Sequence, residues 1–118
     1  MNLNSVNISA KHIFIVAKLS ASPGYKTLLS KNPGQGWIRT FHNSNRFESG
    51  FTHDFVGADG NYRVNGSDGD TFPLYTKRIL TATVGSNVAG FFPDILIGGD
   101  GASNYWKGHI YEVLIYDQ

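Results

Sequence analysis

The sequence predicts an all-β fold, one antiparallel β-sandwich domain running from residue 1 to residue 118. Three observations support that class. Short runs rich in β-branched and aromatic residues recur about every 8–12 residues, separated by turns of Gly, Asn, Asp, Ser and Pro. No stretch combines a sustained 3.6-residue apolar period with caps and helical length. The composition is rich in aromatics (14%) and glycine (14 residues), yet only 16% of residues are charged, against about 25% in a typical soluble domain. A chain of 118 residues holds one hydrophobic core and is too short for two.

Residues 1–10 are polar and show no strand pattern. Residues 8–19 then read as a strand. Both alternating sets within it, His12, Phe14, Val16, Lys18 and Ile13, Ile15, Ala17, Leu19, are rich in apolar side chains, which predicts burial on both faces. Ala21-Ser22-Pro23-Gly24 is a turn, residues 25–30 a strand, and Asn32-Pro33-Gly34-Gln35-Gly36 a second turn. Residues 37–42 form a strand, and Asn43-Ser44-Asn45 a tight turn that makes a hairpin with residues 46–56. Phe47, Phe51 and Phe55 are spaced by four, but Gly50, Thr52 and the surrounding strands favour β over helix. Residues 57–70 are loop-like around the short strand Tyr62-Arg63-Val64. Residues 71–75 and 77–84 are strands, and Gly85-Ser86-Asn87 is a turn. The chain closes on two apolar runs around a Gly/Asp/Ser/Asn loop at residues 98–104. In the last run Ile110 and Val113 are three apart, so strict alternation fails. Either that strand is buried on both faces or it carries a bulge near Tyr111 and Glu112. Its place at the end of the chain suggests a strand lying inside a sheet.

Composition excludes several functions. With no cysteine there are no disulfides and no thiolate metal sites, which favours a bacterial or viral source over a small extracellular animal domain. A net charge of +1 gives no reason to expect nucleic acid or an anionic membrane as partner. No run reaches the roughly 18 apolar residues of a membrane span. Met1-Asn2-Leu3-Asn4-Ser5 has neither the basic nor the apolar segment of a secretory signal. Low charge suits a domain packed against other subunits or exposed to a crowded extracellular medium, and fits a simple neutral soluble domain equally well.

The end of the chain resembles the C-terminal signature of the concanavalin A-like (laminin G-like) jelly-roll domains. In that family an Ile-Gly-Gly strand is followed by an aromatic residue and then by Gly-x-Ile-x-Glu-(Val/Ile)-x-(Ile/Val)-Tyr. Here Ile97-Gly98-Gly99 is followed by Tyr105-Trp106-Lys107-Gly108-His109-Ile110-Tyr111-Glu112-Val113-Leu114-Ile115-Tyr116-Asp117, a match over residues 95–117. More loosely, residues 13–18 with 27–31 resemble the family's early strand pair. Residues 78–84 resemble its Trp-x-x-Val-x-x-Thr strand without the Trp. The chain is shorter than a typical member. Its Tyr62-Arg63-Val64-Asn65-Gly66, similar to the family's Tyr-Val-Asn-Gly hairpin, stands before residues 78–84 rather than after them. The resemblance therefore implies a jelly roll that is reduced, or one whose missing first strand a neighbour supplies. Such domains occur in bacteriophage structural proteins, secreted lectin-like modules and glycanase-attached modules. A non-catalytic virion protein (decoration, tail or fibre-associated) is the leading expectation. It would sit at a virion surface or outside the cell, oligomeric and bound to other virion subunits, with weak cell-surface glycan binding. A carbohydrate-binding module of a secreted bacterial protein is the alternative.

Catalysis has little support in the residues. A retaining glycanase needs two carboxyl groups about 5–5.5 Å apart, and Glu48 and Glu112 are far apart in sequence, each without an acidic partner two residues on. There is no Gly-x-Ser-x-Gly elbow, and Gly98-Gly99-Asp100-Gly101 lacks the Lys-Ser/Thr and helix of a phosphate loop. For calcium, which takes oxygen ligands, the candidates are Asp59, Asp68, Asp70 and Asp100, with Asn61 and Asn104 beside them. The same Asp-Gly and Asn-Gly pairs also serve turns for conformational reasons. Sugar binding pairs aromatic platforms with Asn and Asp. Tyr105 and Trp106, next to Asp100 and Asn104, are the first candidates, with Trp37 and Tyr62 behind them. Adjacent strand residues face opposite ways, so at most one of Tyr105 and Trp106 is core, and the family pattern puts Trp106 inside.

Overall fold

In the computed structural model, strand β2 (His12–Leu19) separates inside from outside by strict alternation: Ile13, Ile15, Ala17 and Leu19 are fully buried, and His12, Phe14, Val16 and Lys18 are half-buried. The structure describes residues 2–9, 11–20, 24–31, 37–41, 43–48, 56, 60–85, 91–99 and 104–117. The other strands among them are β1 (Asn2–Ser9), β3 (Thr27–Lys31), β4 (Trp37–Arg39), β5 (Asn61–Val64), β6 (Ser67–Asp68), β7 (Arg78–Thr83), β8 (Phe91–Ile97) and β9 (Gly108–Tyr116). They form two antiparallel sheets, ordered β1-β8-β3-β4 and β6-β5-β7-β2-β9, and no helix occurs among the described residues. The all-β expectation holds, and the two sheets share one core.

That core joins Leu28, Leu29 and Ile38 of the first sheet to Ile13, Ile15, Ala17, Leu19, Tyr62, Leu80 and Ala82 of the second. Its aromatic part centres on Phe47, which lies 5.4 Å from Tyr62, 5.7 Å from Phe72 and 6.4 Å from Trp106, ring centroid to centroid. Phe72 meets Phe47 and Trp106 edge-on, as ring quadrupoles favour.

Several local expectations are met. The turn at 43–45 closes a hairpin, with the Phe41 amide donating to the Arg46 carbonyl at 2.8 Å and Thr40 bridging Phe47. Asn65 and Gly66 both have positive φ (50° and 82°), the conformation of the two-residue turn that suits hairpin twist. Asn65 is held there from both sides, since its amide donates to the Ile79 carbonyl and its side-chain oxygen accepts from the Ile79 amide. In β9 the register slips between Val16–Glu112 and Ala17–Ile110, leaving Tyr111 as the extra residue of a bulge.

Other expectations are corrected. Residues 2–9 do form a strand, paired with β8. A main-chain ladder at a sheet edge needs no apolar pattern, so polarity hid it. Residues 71–75 are not a strand: Thr71 and Leu74 make only isolated bridges. Pro73 has no N–H to donate, and Tyr75 has a φ of 64° that breaks extended geometry. Strand β9 is not interior, because it stands at the end of its sheet and pairs only with β2 among the described strands. Strand β2 is not equally buried on its two faces. The strand expected over residues 49–55 lies outside the described residues.

The two faces of the five-stranded sheet predict different responses to substitution. Ile15 is fully buried between Leu80 and Val113 on its neighbouring strands, so Ile15→Ala should cost about 2–5 kcal/mol in urea unfolding. Ile79 is 46% exposed on the outer face, and Ile79→Thr should stay within about 0.5 kcal/mol of wild type. Equal losses would contradict this assignment of the faces.

Candidate functional site

The outward residues of β2, β7 and β9 converge on an open cleft of about 600 Å³. Strict alternation puts His12, Phe14 and Val16 of β2 on the outer face, and the bulge at Tyr111 resets β9 so that Glu112, Leu114 and Tyr116 join them. Ile79 of β7 completes the lining. The Phe14 and Tyr116 rings meet edge-on at 5.7 Å. Ile79, Leu114 and Tyr116 are 46%, 40% and 49% exposed. Polar groups stand only at the margins: Glu112, exposed on β9, and His12, whose Nδ1 lies 3.5 Å from Thr83 Oγ1. An outer sheet face in a solvated sandwich is ordinarily polar, and this one is mostly apolar. Beyond it, Lys77 Nζ lies 5.0 Å from the Tyr111 ring centre, and the His109 ring stacks on Tyr111.

The residues that the sequence put forward lie elsewhere. Trp106 is buried (8% exposed), stacked at 12° on Phe47, and its indole N–H donates to the Lys18 carbonyl at 3.0 Å and the His109 carbonyl at 3.3 Å. Tyr62 is buried against Phe47. Neither ring offers a platform to solvent. Tyr105 is half exposed, and its ring lies so close to Gly99 that a Cβ there would stand 2.7 Å from it. Asn104 is half-buried beside it in the chain. Asp59, Asp100 and the side chain of Trp37 lie outside the described residues.

The acidic candidates are held by cations of the chain itself. Asp70 receives a forked pair of bonds from Arg46, Nε to Oδ1 and Nη2 to Oδ2, both 3.1 Å. The contact raises the Arg46 pKa through the hydrogen bond and the charge of Asp70. Asp68 Oδ1 accepts from Asn61 at 3.2 Å and from Arg63 at 2.8 Å. No group of three or more His, Asp or Glu residues able to hold a metal occurs among the described residues. Asn61, Tyr62 and Asp70 do line one small cleft of about 220 Å³ with Val56, Gly60 and Gly69, without converging carboxylates. Glu48 is buried in an ion pair with Arg39 (2.7 Å). Arg39 also lies 4.1 Å over the Tyr25 ring.

Comparison of the chain with protein-family models, with curated proteins and with solved structures finds no match.

The cleft is hidden in the sequence because both alternating sets of β2 are apolar, a pattern that predicts burial on both faces. The usable signal was the outward set Phe14, Val16, Ile79, Leu114 and Tyr116 together with the shortage of charge.

Two outcomes follow from these contacts. The hydrogen bond from Asn61, then the bond and charge of Arg63, lower the Asp68 pKa. The small stabilisation this gives is present above the unfolded-state aspartate pKa and is lost as pH falls through the folded one. An NMR titration should place Asp68 below ordinary aspartates, and Asn61→Ala or Arg63→Gln should each move it up. Separately, Trp106→Phe removes the donor to two carbonyls, and should lower stability by about 1–3 kcal/mol in urea unfolding.

Proposed function

We propose that this chain is a non-catalytic structural module that assembles with protein subunits through the outer face of its five-stranded sheet. The apolar, solvent-open cleft formed by Phe14, Val16, Ile79, Leu114 and Tyr116 is the observation that carries the reading. Protein surfaces of this kind lose water favourably when covered, at about 25 cal/mol per Å² of apolar area. A sugar site needs several fixed hydrogen-bonding groups beside its aromatic platform, and this cleft has only His12 and Glu112. A glycan contact is thus a secondary capacity, served by the exposed Tyr116 or Tyr105 rings.

The likeness of residues 95–117 to the concanavalin A-like signature supports a reduced jelly-roll topology for this sandwich. Together with the lack of cysteine and the low charge, it supports a place in a bacteriophage particle, on the virion surface. The carbohydrate-binding module of a secreted bacterial protein is the second reading, favoured by the same exposed tyrosines.

Sedimentation of the purified chain, run beside a glycan array in calcium and in chelator, tests the proposal. Self-association that weakens in Ile79→Lys, with a blank array, is the expected result. A monomer whose glycan binding disappears in Tyr116→Ala would overturn the assembly reading and establish the carbohydrate module.

A further inference from the structure

Strand β9 ends its sheet, and the outer half of the cleft sits on it. It is the longest strand at a described sheet edge: β9 runs over nine residues, β1 over eight, β4 over three and β6 over two. Long edges are commonly blunted by Lys, Pro or a bulge. Along Gly108–Tyr116 there is no Lys and no Pro. The one bulge, at Tyr111, leaves residues 112–116 straight. Strand β1 differs, since its ladder with β8 is interrupted between Leu3 and Asn7. Over residues 112–116 the edge is regular and carries a single charge, Glu112, so it can template another strand.

We infer that the occupant of this edge is β9 of a second copy of the same chain, antiparallel about a two-fold axis at Leu114. This rests on the reading of the chain as an assembling module, and places the contact at the edge beside the cleft rather than over it. The register follows from alternation and charge. A two-fold axis perpendicular to the sheet keeps outer residues beside outer residues, so each outward residue must pair with an outward one. With Leu114 against Leu114, Val113 faces Ile115 on the core side, Glu112 faces Tyr116 on the outer side, and Tyr111 faces Asp117. Each carboxylate of the segment then meets a tyrosine hydroxyl of the partner, which can donate to it. Shifting the axis to Val113 sets Glu112 against Leu114 and loses that match. Shifting it to Ile115 sends Glu112 past the end of the strand. The bulge at Tyr111 terminates the paired segment on one side and Asp117 on the other, symmetrically about Leu114. The two five-stranded sheets become one continuous sheet, and their clefts form a single apolar floor.

The axis makes a specific test available, because residue 114 meets its own copy. Leu114 is 40% exposed, so the substitutions Leu114→Lys and Leu114→Glu leave the core intact, as circular dichroism and thermal melting of each would check. In sedimentation the full-length wild-type chain should dimerise. Each variant alone should associate at least about tenfold more weakly, since like charges meet at the axis. An equimolar mixture of the two should regain the dimer, with one copy of each. Dimers that persist in both variants but dissociate in Ile79→Lys would overturn the edge pairing and leave the outer face as the assembly surface. Two monomeric variants whose mixture stays monomeric would overturn the Leu114 axis. A monomeric wild type would overturn both readings.

Discussion

The structure depends most on the indole N–H of Trp106, which ties three segments at one point. It donates to the carbonyl of Lys18 at the end of β2 and to that of His109 at the start of β9, while the Trp106 main-chain amide donates to Gly98 after β8. A buried indole needs a partner for its N–H. Here the partners are the carbonyls where the last strand joins the sheet. Gly108 is required beside it, because its φ is 148° and a Cβ at that position would overlap the Lys18 carbonyl oxygen. The ring itself stacks on Phe47 and meets Phe72 edge-on. One side chain thus anchors the loop between the sheets to the aromatic part of the core, and starts β9 in register.

That register determines the outer face. Were β9 paired with β2 in a single unbroken ladder from Gly108, the residues now turned outward would turn toward the core, since a one-residue slip exchanges the faces of a strand. The bulge at Tyr111 absorbs the extra residue. It lets Ile110, Val113 and Ile115 all pack against the core while Glu112, Leu114 and Tyr116 face out. The bulge is therefore the link between core packing and the cleft. It serves both at the cost of one unpaired residue, whose ring is taken up by His109 and Lys77.

Much of this was legible in the residues, and the misses have physical causes. The three-residue gap between Ile110 and Val113 announced the bulge, because no regular strand puts both on one face. Asn65-Gly66 and Asn43-Ser44-Asn45 announced their turns through conformational preference. Strand β1 was hidden because an edge ladder is made by the main chain, and polar residues supply it as well as apolar ones. The position of β9 at the edge was hidden because nothing local distinguishes an apolar edge strand from an interior one. Trp106 inside and Tyr105 exposed is the arrangement the family pattern implies, whereas residue type alone makes Trp106 and Tyr62 sugar platforms. Their burial depends on Phe47 and Phe72, which reach them only through the tertiary fold. Asp68 and Asp70 looked like calcium ligands, but Arg63 and Arg46 arrive from β5 and from the 43–45 turn to neutralise them.

The same physics explains why the acidic turns are a weaker place to look for function than the apolar face. Two carboxylates already paired with arginines, Asp68 exposed and Asp70 half-buried, gain little from a cation that must displace those partners, and solvent-exposed ion pairs contribute little to stability in any case. An outer sheet face bearing Phe14, Val16, Ile79, Leu114 and Tyr116 gains only in part for the isolated chain, since these side chains stay half-buried or exposed. Their exposed remainder would gain free energy only from a surface that covers it.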